Sequence, residues 1–196
     1  YMDTFLADET CGHMVQPGMV YISLPTEYGM VYSRDELASL YSACQKYSLR
    51  LFIDGARLGY ALASDAVDYD MAYVARNCDV FYIGGTKVGA MFGEAVVFTG
   101  MKAPRHFFTT VKRHGALLAK GRMLGIQFAT LFTDDLYMRV SSHAIQMAAR
   151  ITGIFRKHGI SMAYDSPTNQ QFVVLSPERY KALKEKVAFE VWEHQD

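Results

Sequence analysis

Three short apolar runs, separated by segments long enough to form helices, constrain the fold of this chain more than any other feature. The runs are Met19–Ser23, Leu51–Ile53 and Val80–Ile83, each with the length and composition of a buried strand. Strands that alternate with helices are typical of an α/β sheet, in which crossover connections keep the strands parallel. The runs are apolar rather than alternating, which predicts strands that are buried on both faces of the sheet.

The segment between the first two runs carries a clear signal for the start of a helix. Ser33 and Glu36 have the S-x-x-E spacing of a capping box, in which each side chain bonds the backbone of the other residue. The predicted core face has helical spacing and consists of Leu37, Leu40, Tyr41, Cys44 and Tyr47. A short helix over about 67–76 is predicted before the third run, and Glu94–Thr99 is predicted as a fourth strand.

The pattern changes after Gly100. Three helices are predicted there, over residues 102–112, 115–132 and 134–158. A strand, a helix and a second strand are predicted next, at Asn169–Leu175, 177–187 and Phe189–Trp192. Asp134 or Asp135 is expected to cap the long third helix. We therefore predict that residues 1–133 belong to a large domain, and that 134–196 hold a connecting helix and the beginning of a small α+β domain.

Charge and cysteine usage exclude several classes of function. The chain has 20 basic and 20 acidic residues without a block of like charge, so neither nucleic acid nor an acidic membrane surface is an expected partner. No apolar stretch approaches the roughly 18 residues that cross a bilayer, and residues 1–20 lack the pattern of a secretion signal. The three cysteines and six histidines have no metal or disulfide spacing. We expect reduced core thiols, no metal site and a cytoplasmic location.

An acid and an amine follow two successive strands of the predicted sheet. Asp54 ends the second strand, and Lys87 lies just beyond the third, at the edge of an α/β sheet where ligands bind. Pyridoxal 5'-phosphate (PLP) needs such a pair, because a lysine amine attaches it covalently and a carboxylate keeps its ring nitrogen protonated. On this pattern alone the signal is weak, and a helix-capping aspartate with a solvated lysine is the alternative interpretation.

Longer motifs carry a family resemblance. They read L-F-I-D-G-A-R-L at 51–58, Y-I-G-G-T-K-V-G-A at 82–90, Y-I-S-L-P-T-E-Y-G at 21–29, R-H-G-A-L-L-A-K-G-R-M-L-G-I-Q-F at 113–128 and D-S-P-T-N-Q-Q-F at 165–172. In these motifs and their order the chain resembles the threonine aldolase and β-eliminating lyase family of PLP enzymes. The resemblance covers nearly the whole chain, and D-G-A-R followed about 30 residues later by G-T-K is fairly specific for this family.

The resemblance implies an α/β fold of the PLP-dependent fold type I, and a role for several residues. Lys87 would carry PLP on its amine, and Asp54 would bond the pyridine nitrogen. Arg57 would approach the ring hydroxyl or the substrate carboxylate, unless it is a surface arginine at the start of a helix. Thr86 would give its hydroxyl to the cofactor phosphate, for which backbone groups such as that of Gly85 are equally good donors.

The resemblance also implies the reaction and the assembly. The expected enzyme is a carbon–carbon lyase that converts a β-hydroxy amino acid, threonine, to glycine and acetaldehyde, in a homodimer or homotetramer. The alternatives are β-elimination from an aromatic amino acid and a non-catalytic domain that keeps the fold. The family's phosphate loop, ring-stacking residue and substrate-carboxylate arginine are not found, so the chain is expected to be an internal part of a longer enzyme and to be inactive on its own. Glu27, in the turn after the first strand, would orient substrate or cofactor, or cap that turn.

Overall fold

A four-stranded sheet forms the centre of the molecule, which the computed structural model describes over residues 1–100 and 103–192. In spatial order its strands are β1 Met19–Ser23, β2 Arg50–Asp54, β3 Val80–Gly84 and β4 Glu94–Phe98. The first three strands are parallel, and β4 is antiparallel to β3. The connection over 85–93 is shorter than the dozen or so residues that a parallel crossover needs, so the chain turns back on itself there.

Eight α-helices and a small second sheet complete the described part of the chain. The helices are α1 Met2–Ala7, α2 Arg34–Lys46, α3 Leu58–Leu62, α4 Met71–Arg76, α5 Phe107–Arg113, α6 Arg122–Leu131, α7 Leu136–Lys157 and α8 Pro177–Lys184. The second sheet pairs β5 Ser161–Met162 with β6 Val173–Val174 in antiparallel fashion. None of the helices within residues 1–100 and 103–192 combines the length and apolar character that crossing a bilayer requires.

The predicted capping box begins α2 as expected. The Ser33 hydroxyl accepts a hydrogen bond from the Glu36 amide, and the Glu36 carboxylate accepts one from the Ser33 amide. Along the predicted core face of the helix, Leu37 and Cys44 are buried. The short helix α4 begins later than predicted, because Asp70 bonds the Tyr73 amide at 2.7 Å and so sets the first turn.

The central sheet buries one face and leaves the other partly open. Leu51, Ile53 and Phe81 are at most 2% exposed and share one hydrophobic cluster with side chains of α2, α3, α4 and α7. On the opposite face, Tyr21 is 54% exposed and Val96 is 49% exposed. The prediction that the strands are buried on both faces is therefore wrong for the described residues: α2, α3, α4 and α7 cover the face that carries Leu51, whereas on the other face Phe107 of α5 contacts Phe98 and Tyr21 and Val96 stay exposed.

The helices after the sheet are shorter than predicted. Helix α5 begins at Phe107, and the start of the predicted helix 102–112 falls partly outside the described residues. Turns occupy 114–121 before α6, with Gly115 at a φ of 71°, so the helix predicted over 115–132 was too long. The apolar side chains of this region suggested a longer helix, although its glycines interrupt one.

Two predictions near the ends of α7 and of the chain are wrong. Asp134 and Asp135 have positive φ values, and Asp135 precedes α7 without a side-chain capping bond, so neither aspartate caps this helix. Phe189–Trp192 is not a strand; instead, Trp192 contacts the ring of Phe172 at 5.6 Å between centroids. An apolar run forms a strand only where a partner strand offers hydrogen bonds. The predicted strand Asn169–Leu175 is reduced to β6.

Helix α7 links the large sheet to the small one. Near its start, Tyr137 and Ser141 are buried and the helix packs against α3, while α7 also contacts β5. A division between 133 and 134 fits this arrangement and stays a prediction. Cys44 and Cys78 are free and buried, whereas Cys11 is half-buried. Burial raises the pKa of the Cys78 thiol to about 12, so this thiol stays protonated at neutral pH.

Candidate active site

The structure brings Asp54 and Lys87 to the same edge of the sheet. Asp54 is the last residue of β2, and Lys87 lies three positions after Gly84, the last residue of β3. Asp54 is partly buried and Lys87 is exposed. The two side chains form no salt bridge with each other, but the positive charge of Lys87 acts on the Asp54 carboxyl. An anion and an amine therefore lie at the same sheet edge without forming an ion pair.

The loops that follow β2 and β3 are in direct backbone contact. The Gly84 amide donates to the Gly55 carbonyl at 2.8 Å. A Cβ atom on Gly55 would lie 1.9 Å from the Tyr82 carbonyl oxygen, and one on Gly84 would lie 2.1 Å from the Ala56 carbonyl oxygen. No side chain fits in such a gap, which explains why glycine occupies both positions. The two motifs D-G-A-R and G-G-T-K are thus parts of one structural unit.

The Asp54 carboxylate accepts hydrogen bonds from several groups. One oxygen, Oδ1, accepts from the Ala56 amide at 2.9 Å, and the other, Oδ2, accepts from the Tyr21 hydroxyl. Partial burial acts to raise the pKa of Asp54, but the hydroxyls of Tyr21 and Tyr82, the Ala56 amide and the charge of Lys87 together lower it below the ordinary 3.8. The carboxylate is therefore ionised at neutral pH.

The two tyrosines beside Asp54 lie on the open face of the sheet. The Tyr21 ring stacks on Phe52 with 5.5 Å between centroids and 12° between planes, and Phe52 contacts Tyr82 at 5.9 Å. The bond to Asp54, followed by partial burial, raises the pKa of Tyr21. Burial, followed by the bond to Asp54, raises that of Tyr82. Both phenols are therefore protonated donors at neutral pH.

Two further tyrosines donate hydrogen bonds to backbone carbonyls of the segment from Gly84 to Lys87. The Tyr60 hydroxyl of α3 donates to the Lys87 carbonyl. The Tyr137 hydroxyl of α7 accepts from the Gly59 amide at 3.1 Å and donates to the Gly84 carbonyl at 3.1 Å. Tyr137 is 2% exposed. A single buried hydroxyl thus bridges the segment after Asp54 and the end of β3, and it connects both with α7.

The remaining predicted cofactor anchors differ in how accessible they are. Thr86 is exposed next to Lys87, whereas Gly85 is buried and its amide donates to Glu94 at 2.8 Å. Arg57 occupies the N-cap position of α3 and is half-buried. Among residues 1–100 and 103–192, no carboxylate forms a salt bridge with its guanidinium. Thr86 and Arg57 therefore present polar groups at the site edge, while the Gly85 amide is already bonded within the chain.

The turn after β1 is fixed by the motif over 165–172. The Gly29 carbonyl accepts from the Ser166 hydroxyl at 3.1 Å and from the Thr168 hydroxyl at 3.0 Å, and the Gln170 side-chain amide donates to the Glu27 carbonyl at 2.9 Å. A Cβ atom on Gly29, which has a φ of 76°, would lie 2.2 Å from the Ser166 hydroxyl oxygen. The turn motif and the later motif therefore depend on each other, and the Glu27 side chain stays exposed.

Sequence reasoning found the charged residues of the site but missed its tyrosines. Tyr21 had a usable signal, because it lies two residues before the end of β1 and shares a sheet face with Ser23, which pairs with Asp54. Two residues apart on a strand means the same face. Tyr60 and Tyr137 had no such signal, since their roles depend on how α3 and α7 pack against the loops.

Comparisons with known proteins show which family and which structures this chain resembles. The sequence model of the family "Beta-eliminating lyase" matches residues 3–188. The low specificity L-threonine aldolase of Pseudomonas sp. (strain NCIMB 10558) is 31% identical over 176 residues, which are 89% of this chain and 51% of that protein. The solved threonine aldolase structure from Leishmania major is 41% identical with a TM-score of 0.84, over 89% of this chain and 51% of that chain.

A structure with lower sequence identity has a similar fold. A PLP-bound putative aminotransferase from Clostridium difficile 630 is 14% identical with a TM-score of 0.63, over 86% of this chain and 47% of that chain. Together these structures confirm the predicted α/β fold of the PLP-dependent fold type I. The chain spans about half the length of the curated relatives that it matches.

Proposed function

We propose, from the premise that this chain belongs to the beta-eliminating lyase family, that the protein is a PLP-dependent carbon–carbon lyase that converts threonine to glycine and acetaldehyde. The observation that carries the proposal is the ionised Asp54 and the exposed Lys87 at one sheet edge, held by loops in backbone contact. The substrate follows from the aldolases of Pseudomonas and Leishmania major, which the chain resembles.

The residues at this edge fit PLP by their chemistry. When bound, PLP supplies a protonated ring that accepts the electron pair left when the Cα–Cβ bond of an amino acid breaks. Asp54 supplies the negative charge that keeps a ring nitrogen protonated, and its lowered pKa ensures that the charge is present. Lys87 supplies the amine for covalent attachment, and its exposed side chain is accessible to an aldehyde.

Other anchors belong to the proposal as well. Arg57 would bind the ring hydroxyl or a substrate carboxylate, because its planar guanidinium suits either anion and has no carboxylate partner among the described residues. Thr86 would donate its hydroxyl to the cofactor phosphate. The Gly85 amide is bonded to Glu94, so it would bind the phosphate only after giving up that bond. A homodimer or homotetramer in the cytoplasm is the assembly and the location that we propose.

Replacement of Lys87 by alanine tests the attachment of the cofactor. We expect Lys87→Ala to abolish the visible absorption of bound PLP, the adduct that borohydride reduces, and turnover. Lys157→Ala is the matched control, because Lys157 is exposed at the end of α7, about 30 Å along the helix from Tyr137 at 1.5 Å per residue. A reducible adduct that persists on another lysine of Lys87→Ala would refute the assignment.

The products separate the proposed reaction from its alternatives. Threonine incubated with the PLP-loaded full-length enzyme should yield glycine and acetaldehyde in equal amounts. Release of ammonia without glycine from an aromatic amino acid would indicate β-elimination instead. A protein that binds PLP on Lys87 but converts neither substrate would support a non-catalytic domain.

A further inference from the structure

We propose that Tyr21 is a positioning residue for Asp54: from the neighbouring strand, its hydroxyl fixes the orientation of the carboxylate that is to face the cofactor ring. This inference rests on the proposed function, since it concerns the same site. It goes beyond the pairing of an aspartate with the ring, because it assigns a role to a residue outside the D-G-A-R and G-G-T-K motifs.

The hydrogen bonds of Asp54 define the plane of its carboxylate. The Ala56 amide bonds Oδ1 and the Tyr21 hydroxyl bonds Oδ2, so the two oxygens are held from different elements, the loop after β2 and the strand β1. An ionised carboxylate offers about four acceptor positions. The Ala56 amide and the hydroxyls of Tyr21 and Tyr82 use three of them, so an acceptor position remains for a protonated ring nitrogen. Without Tyr21, rotation about the Cβ–Cγ bond would be restrained by the Ala56 amide and by Tyr82.

Tyr21 is well held for this task, although its side chain is half exposed. Its ring stacks on Phe52, and the parallel register places Ser23 of β1 directly beside Asp54. A tyrosine has only two side-chain torsions before its hydroxyl, and here the stacking restrains them. The turn that follows β1 is tied to Ser166 and Thr168 through the Gly29 carbonyl, which restrains the end of this strand.

The bond also has an electrostatic effect. A hydroxyl that donates to a carboxylate stabilises its charged form, and it lowers the pKa of Asp54 while raising that of Tyr21. A carboxylate with a low pKa binds a proton weakly, so the proton in a hydrogen bond to it stays on the donor group. In the proposed site that partner is the ring nitrogen, whose protonation makes the ring an electron acceptor. The Tyr21 hydroxyl therefore acts on the reaction through Asp54 and needs no contact with substrate.

The chain contains a matched control for this contact. The Tyr47 hydroxyl, which accepts from Lys46 at 2.7 Å, also donates to the Asp3 carboxylate; Tyr47 precedes β2, whereas Asp54 ends it. Tyr47→Phe therefore removes an equivalent tyrosine–aspartate bond without touching the site. Tyr21→Phe keeps the ring that stacks on Phe52, so the fold should persist, and circular dichroism would verify this.

Two measurements test the role of Tyr21. In the protein without cofactor, carboxyl carbon NMR should show a higher pKa for Asp54 in Tyr21→Phe than in the unaltered protein, and no change in Tyr47→Phe. In the PLP-loaded protein, Tyr21→Phe should still form the borohydride-reducible adduct on Lys87, while kcat falls about tenfold, the typical effect of losing one hydrogen bond to a charged group. Tyr47→Phe should leave kcat unchanged.

The outcomes distinguish this inference from the proposed function. An adduct on Lys87 with unchanged kcat, or an unchanged pKa of Asp54 in Tyr21→Phe, would overturn the role of Tyr21 and leave the PLP site intact. If the unaltered protein formed no adduct on Lys87, the proposed function would fail, and the role of Tyr21 toward a cofactor would fail with it.

Discussion

The Tyr137 hydroxyl bonds to two segments of the site, the first turn of α3 and the end of β3, and its removal tests how these segments are held together. Tyr137→Phe keeps the buried ring and deletes only the oxygen that accepts from the Gly59 amide and donates to the Gly84 carbonyl. Gly59 lies in the first turn of α3, where the helix itself offers no acceptor for an amide. No cavity larger than one oxygen atom results.

The expected loss of stability follows from the groups that are left behind. Gly59 and Gly84 are both buried, and a buried backbone group that loses its partner costs about 1–3 kcal/mol. Since two groups are affected, we expect Tyr137→Phe to lower the free energy of unfolding by about 2–4 kcal/mol. Tyr73→Phe is the matched control, because its half-buried hydroxyl makes one bond to the Arg34 carbonyl, and about 1 kcal/mol is expected there.

Urea unfolding and amide hydrogen exchange together measure this effect. Urea midpoints should fall further for Tyr137→Phe than for Tyr73→Phe at an equal slope. The Gly59 amide should exchange at least about tenfold faster in Tyr137→Phe, which corresponds to about 1.4 kcal/mol of local stability. Equal midpoints for the two variants, with unchanged exchange at Gly59, would refute the idea that this hydroxyl holds the two loops together.

Two further substitutions test the backbone contact and the carboxylate. In Gly84→Ala the new Cβ would lie 2.1 Å from the Ala56 carbonyl oxygen. We therefore expect thermal unfolding to show a free energy of unfolding lower by about 1–3 kcal/mol, together with weaker PLP binding. Gly153→Ala is the control and should be neutral or stabilising, because its Cβ would meet nothing within 4 Å. Asp54→Asn should keep bound PLP, measured by its visible absorption, but lose about 10²–10³ in kcat, because an amide carries no charge; near-normal turnover would exclude the role. Since the pKa of Asp54 is lowered from 3.8 in the folded chain, its carboxylate stabilises the fold above that value, and this contribution disappears as the pH falls through the lowered pKa. On acidification from neutral pH to below 3.8, urea midpoints should therefore fall less in Asp54→Asn than in the unaltered protein.

The sequence predicted the parts of the fold that depend on local patterns. The four strands of the large sheet and the start of α2 have local signals, namely apolar runs and a capping box, and the structure has them at nearly the predicted residues. The beginnings of α5 and α6 were misjudged because apolar residues alone do not show where a helix starts. Phe189–Trp192 was misjudged because strand formation depends on a partner that local sequence does not specify.

The residues of the candidate site also divide into those that the sequence could place and those that it could not. Asp54 and Lys87 could be placed at one edge from the sequence, since each follows a strand of a parallel pair and strand ends of one sheet meet at one edge. Tyr21 had a signal in its strand position, but Tyr60 and Tyr137 could not be placed, because their contacts join residues far apart in the chain. The separation is 27 residues for Tyr60 and Lys87, and 78 for Tyr137 and Gly59. No local period records such a contact.

The charged residues and the tyrosines therefore have different consequences for function. In the proposed function, Asp54 and Lys87 would perform the chemistry, while the hydrogen bonds of Tyr21, Tyr60 and Tyr137 would hold the two groups in place. Each hydroxyl comes from a different element, β1, α3 or α7, so three elements of the fold bond to the site. Catalytic groups displaced by about 1 Å lose much of their rate. A chain that kept both motifs but lost these hydroxyls would still match the family by sequence while its site worked poorly.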